Sequence, residues 1–136
     1  MTDSPVPGAL AAARLRALRM ALLTLHKTLL DHERLRYERT HGRIESAGQV
    51  LHLVMNDPWF AWLRPMSALV VQADEKLDDD GGVSASDVAA FGAQIRDLLQ
   101  GAGGGPDFLP AFQRVLQEAP EAVMAQGQLT AALAQL

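Results

Sequence analysis

The sequence predicts an all-α fold, a single-domain bundle of five to six helices with one long N-terminal helix, and three observations predict it. The first is the stretch from Ala9 to about His41, free of proline and glycine, in which Leu15, Leu18, Leu22, Leu25 and Leu29 recur at alternating spacings of three and four. The second is that several shorter segments repeat the same spacing, separated by breaks rich in proline, glycine or aspartate. The third is that no run alternates apolar and polar residues with period two, so strands have no signal. At 136 residues, with 49% hydrophobic and 21% charged residues, the chain has the length and balance of one globular domain that buries its own core.

Residues 2–8 hold two prolines and a glycine and read as a flexible tail (1–8), leaving 9–136 as the helical domain. The first helix, at about 1.5 Å per residue, would run on the order of 50 Å, longer than a compact domain of this size is wide. Its end must project, bend, or be covered by a second subunit. Gly42 ends it. Ser46 with Gln49 three residues on is a capping-box pattern for a second helix over 47–56, expected to bury Val50, Leu51 and Val54. Asp57 then caps a short segment opened by Pro58, and Pro65 stops or kinks it. That segment holds Trp59, Phe60 and Trp62, three of the seven aromatic residues, so other helices should fold over it.

After Pro65 a third stripe runs through Met66, Leu69, Val70, Ala73 and Leu77 and stops at Asp78-Asp79-Asp80-Gly81-Gly82. Ser84 with Asp87 caps a fourth helix to about Gln100, with Val88, Phe91, Ile95, Leu98 and Leu99 inward. The glycines from 101 to 105 break the chain. A fifth helix buries Phe108, Leu109, Phe112, Val115 and Leu116. Ala119-Pro120-Glu121 starts a sixth, with Val123, Leu129, Leu133 and Leu136 inward.

Net charge is −4, but residues 1–43 carry eight basic and four acidic residues and residues 44–136 carry four basic and twelve acidic. The simplest use of that split is internal, a basic first helix lying against acidic later ones. The arginines of the first helix scatter around its wheel instead of forming a phosphate-tracking stripe, and the pI is near 5.5, so nucleic-acid binding is not expected. No cysteine is present, which removes disulfides, thiolate chemistry and cysteine zinc sites and is compatible with a reducing cytosol. The start lacks a basic region before an apolar run, and Arg14, Arg16 and Arg19 interrupt the leucines, so neither a signal peptide nor a membrane span is expected. A cytoplasmic protein is the resulting expectation. Ten arginines against two lysines, with abundant alanine, is usage associated with GC-rich bacterial genes.

Candidate site residues lie on the first helix and the aromatic segment. Glu33 falls within about 40° of the centre of the leucine stripe, with His26 and Tyr37 beside it, one above another along the edge of the core. Two readings follow. In one, Glu33 is an edge carboxylate paired with an arginine such as Arg64, His26 is a packing residue, and Trp59 and Trp62 fill the core. In the other, His26, Glu33, Tyr37, Trp59, Trp62 and Arg64 line a pocket for a small ligand or metal, the indoles stacking a planar molecule. A di-iron bundle needs Glu-x-x-His pairs on two helices, and none occurs, so no cofactor is named.

The segment Lys76–Asp87 partly resembles an EF-hand calcium loop: Asp78, Asp80, Gly81, Ser84 and Asp87 fall at its third, fifth, sixth, ninth and twelfth places. It departs where Lys76 replaces the first aspartate and where Asp87 is shorter than the usual glutamate, and a solvated turn between two helices is the simpler reading. There is no phosphate-cradling loop, nucleophile elbow or zinc-protease helix. The functional expectation is therefore a small binding or regulatory module that self-associates as a homo-oligomer or docks a protein partner, with the ligand or metal pocket as the alternative.

Overall fold

A computed structural model describes residues 7–136, and every regular element in them is helical: α1 (Pro7–His41), α2 (Ala47–Asn56), a 3-10 helix (Pro58–Leu63), α3 (Arg64–Leu77), α4 (Ala85–Leu99), α5 (Phe108–Glu118) and α6 (Pro120–Leu133). The expected tail lies outside the described residues up to position 6, while Pro7 and Gly8 already belong to α1.

α1 is the axis. Its leucine stripe, Leu15, Leu18, Leu22, Leu25 and Leu29, is at most 1% exposed, and each such burial contributes about 1.5–3 kcal/mol before entropy is counted. α6 lies along it most extensively, then α3 and α4. The inner face of α6 is Ala122, Ala125, Leu129 and Leu133, and its two alanines let the helices approach closely. Val123, expected inside, is 50% exposed because it sits one position round from that face. Leu136, also expected inside, is 40% exposed at the chain end.

The length of α1 is accommodated without a second subunit on its N-terminal half, since Ala11, Leu15, Leu18 and Leu22 are all enclosed by the chain's own helices. The polar side of that half is tied down by an ion pair from Arg19 to Asp74 of α3, the internal use expected of the charge split.

At the other end of α1 the chain turns at Gly42, whose φ of 88° suits glycine and whose amide reaches back to the Glu38 carbonyl. α2 follows, capped as expected by Ser46, whose Oγ accepts from the Gln49 amide at 3.1 Å. It packs chiefly on the 3-10 helix and buries none of its residues. Val50 and Val54 are half-covered and Leu51 is 61% exposed, against the expectation that all three lie inside. The apolar periodicity of α2 is as read from the sequence, but among the described residues only the side toward the 3-10 helix is covered, and Leu51 and Met55 stay exposed.

The aromatic segment is a 3-10 helix capped by Asp57, whose Oδ1 accepts from the Trp59 amide at 2.8 Å. Phe60 and Leu63 are fully buried and Trp62 nearly so. Pro65 does not end a helix. It sits in the first turn of α3, where its missing N–H breaks no helical bond. α4 begins with the full reciprocal capping box of Ser84 and Asp87. α5 sends Phe108, Phe112 and Val115 into the core, with Leu109 and Leu116 at its margin.

Candidate functional site

His26 and Glu33 are both engaged by later helices. His26 Nε2 lies 2.7 Å from Ser67 Oγ of α3, and burial holds its imidazole below the ordinary histidine pKa. A histidine nitrogen at that distance from a serine hydroxyl is the spacing of a base and its nucleophile. Ser67 also reaches back to the Leu63 carbonyl at the end of the 3-10 helix, at 3.4 Å, and the pair serves as a polar tie between α1 and α3.

Glu33 is wholly buried, and its partner is Arg114 of α5, whose Nη2 donates to Oε1 at 2.5 Å. Arg36, one turn along α1, brings Nη1 to 3.6 Å from Oε2. Arg114 also stands 3.6 Å from Glu118, which accepts from His32 at 2.7 Å. The hydrogen bond from His32 first, and the charges of Arg114, His32 and Arg36 after it, hold the Glu118 carboxyl below its ordinary range. These groups tie α1 to α5, as a buried carboxylate requires. Arg64, the arginine expected opposite Glu33, instead donates to the Val54 and Asp57 carbonyls at 3.4 and 3.2 Å and braces the corner between α2 and the 3-10 helix.

The two tryptophans part company. Trp62 turns inward against Phe108, with centroids 5.8 Å apart. Trp59 turns to the end of α1, edge-on to Tyr37 at 5.6 Å and to His41 at 5.3 Å, while the Arg36 guanidinium lies 4.7 Å over its ring. Tyr37 and His41 stack at 4.2 Å. Both indole N–H groups are buried without an acceptor among the described residues. The structure therefore brings Tyr37 and Trp59 together, and spreads His26, Glu33, Trp62 and Arg64 over four separate contacts.

A cleft that sequence reasoning missed opens beside Tyr37. It has a volume of about 430 Å³ and lies between the last turn of α1, the Gly42 turn and one side of α2, with His41, Arg43, Gln49 and His52 on its walls. No periodicity announces it, because its residues come from a helix end, a turn and a neighbouring helix. A larger cleft, about 550 Å³, lies at the opposite end, where Phe91 and Leu15 floor a mouth carrying Lys76, Asp79 and Asp87. There Lys76 bridges Asp79 and Asp87 at 3.2 and 3.4 Å. The hydrogen bond to Asp79 is the first cause raising the Lys76 pKa, and hydrogen bonds from Gly81 and Ser84 are the first causes lowering those of Asp79 and Asp87. Two carboxylates of the calcium-loop-like segment are thus engaged, Asp79 in the turn at Gly81 and Asp87 in the cap of α4.

Among the described residues no group of three or more histidines, aspartates or glutamates converges as metal ligands would, and no helix is long and apolar enough to cross a membrane. No protein-family model matches the chain, and no curated protein or solved structure shows significant similarity to it.

Proposed function

We propose that this chain is a helical binding module that works through protein–protein contact, in the first place with a second copy of itself, and that α2 is its contact face. One observation carries the reading. α2 has ten residues, none charged and none buried, and presents Leu51 and Met55 to solvent at 61% and 62% exposure. Two large apolar side chains at i and i+4 form one stripe on a helix, the pattern by which helices dock.

Self-pairing is favoured by what flanks that stripe. Arg43 and Glu45 precede α2, and Asp57 and Arg64 follow it. An antiparallel pairing of two α2 helices about a two-fold axis brings Glu45 of each copy toward Arg64 of the other, while the uncharged middles meet. The length of α1 gives no support to this reading, since its apolar stripe is satisfied within the chain.

The experiment is sedimentation analysis of the full chain over the micromolar range, beside the double variant Leu51→Glu/Met55→Glu. The expected result is a dimer that the double variant converts to monomer while the helical circular dichroism and melting temperature stay unchanged, because neither side chain is part of the core. A wild-type chain monomeric throughout, or a dimer indifferent to both substitutions, would end the proposal.

A further inference from the structure

The cleft beside Tyr37 differs from its counterpart at the far end in the sign of what lines it. Its polar walls are Arg43, His41, His52 and Gln49, and no acidic residue is among the lining, in a chain where acids outnumber bases sixteen to twelve. The two nearest acids in sequence are elsewhere. Glu38 is turned to the Ile44 amide at 2.9 Å and toward Arg34 at 3.7 Å, and Glu45 is not part of the lining. Arg43 makes no ion pair with any described residue, so its guanidinium fork is free to meet an oxyanion with two parallel donors. Behind it the walls are apolar or aromatic, made by Ile44, Leu53 and the stacked rings of Tyr37 and His41. The volume is within the range of small-molecule sites.

The geometry points to this cleft as a binding site for a small planar molecule bearing one oxyanion, the anion held by Arg43 with help from His41 and His52, and the planar body lying against Tyr37, Ile44 and Leu53. The site borders the pairing face without sharing a side chain with it. On α2, Gln49 and Leu53 lie about 140° and 180° around the helix from the centre of the Leu51–Met55 stripe, and Gly48 and His52 about 40° and 80° from it. Neither Leu51 nor Met55 lines the cleft and Arg43 lies outside the stripe, so Leu51→Glu/Met55→Glu and Arg43→Gln test the two readings separately.

Phenyl phosphate is the probe, with inorganic phosphate and phenol as its two halves, titrated into the full chain and followed by amide chemical shifts. Saturable shifts confined to residues 37–53 are expected, with Tyr37, Ile44 and Gly48 of the lining as reporters. Each half should bind at least about tenfold more weakly than the whole, as should phenyl phosphate to Arg43→Gln, since a charge-assisted hydrogen bond is worth about that factor. Arg39→Gln, exposed one turn earlier and outside the cleft, should bind as wild type does, and so should Leu51→Glu/Met55→Glu. Shifts that do not saturate, or that persist unchanged in Arg43→Gln, would overturn the proposal. So would inorganic phosphate binding as tightly as phenyl phosphate, or equal losses in Arg39→Gln and Arg43→Gln, which would mean attraction to a basic surface alone.

Discussion

The two ends of α1 carry the same kind of residues and meet different fates. From Ala11 to Leu29 the leucine face of the helix is enclosed by α3, α4 and α6, with Arg19 paired to Asp74 and Lys76 to Asp79 and Asp87 beside it. From Glu33 onward it meets a buried ion pair, then an aromatic cluster, then a cleft, and finally α2, which is apolar and uncovered. Both regions obey the three-and-four spacing of an amphipathic helix. The difference teaches that periodicity marks a face as apolar without saying what meets it. Burial is decided by how many other elements reach that face, and three helices flank the first end while α2 leans mainly on the short 3-10 helix.

The strongest test of that contrast pairs one leucine from each end. Leu22→Ala should cost about 2.7–5 kcal/mol, the range for a buried leucine that leaves a cavity, whereas Leu51→Ala should stay within about 0.5 kcal/mol of wild type. Urea denaturation measures both, and comparable losses would erase the distinction. Next is the ion pair at the junction. Arg114→Met leaves the Glu33 carboxylate buried, and the usual cost of about 3–5 kcal/mol should fall to about 2–3 because Arg36 stands 3.6 Å away. Adding Glu33→Leu should recover most of the loss, and a double variant as unstable as the single would show that the arginine matters for packing and not for charge.

The helix caps sharpen the comparison at lower energy. Ser84→Ala removes the reciprocal capping box of a helix embedded in the core and should lower global stability by about 1 kcal/mol. Ser46→Ala removes a similar bond from α2, but fraying there exposes nothing buried. It should leave the urea midpoint unmoved and speed hydrogen exchange at Gln49 and Val50 only.

The smallest effect is a pH dependence located at the enclosed end. Burial holds the His26 pKa below the ordinary histidine value of 6.5, so the unfolded chain binds a proton more readily than the folded one. The stability this contributes is complete above pH 6.5 and is lost as the pH falls through the lower folded value. Urea midpoints should therefore decline on acidification below that point, and His26→Gln, which keeps a partner for Ser67, should flatten the decline. A slope identical in the variant would assign the effect to other groups.

Much of the fold was legible because its determinants are local. Ser46, Asp57 and Ser84 cap where they were read to cap, since a cap joins groups two or three residues apart. The glycine at 42 ends α1 for the same reason. The site residues were legible only as a set on one edge. That Glu33 needs a cation follows from its place beside the leucine stripe, but that the cation is Arg114 and not Arg64 depends on where α5 lands, 81 residues later. Trp59 and Trp62 look equivalent in sequence, and three apart they share a face of the 3-10 helix; what separates them is the neighbour that each end of that helix meets, the end of α1 for Trp59 and Phe108 for Trp62.

By itself, then, the sequence determined the helices, their breaks and which side of each is apolar, because side-chain spacing and capping act within a turn or two of the chain. Only the tertiary structure decided which apolar sides are shared and which are left to water, and which charge meets which. It also alone made the cleft between α1 and α2. Those outcomes depend on the path of the chain around the 3-10 corner and on how many helices reach each end of α1, quantities that sum over all the described residues and are written in no single segment.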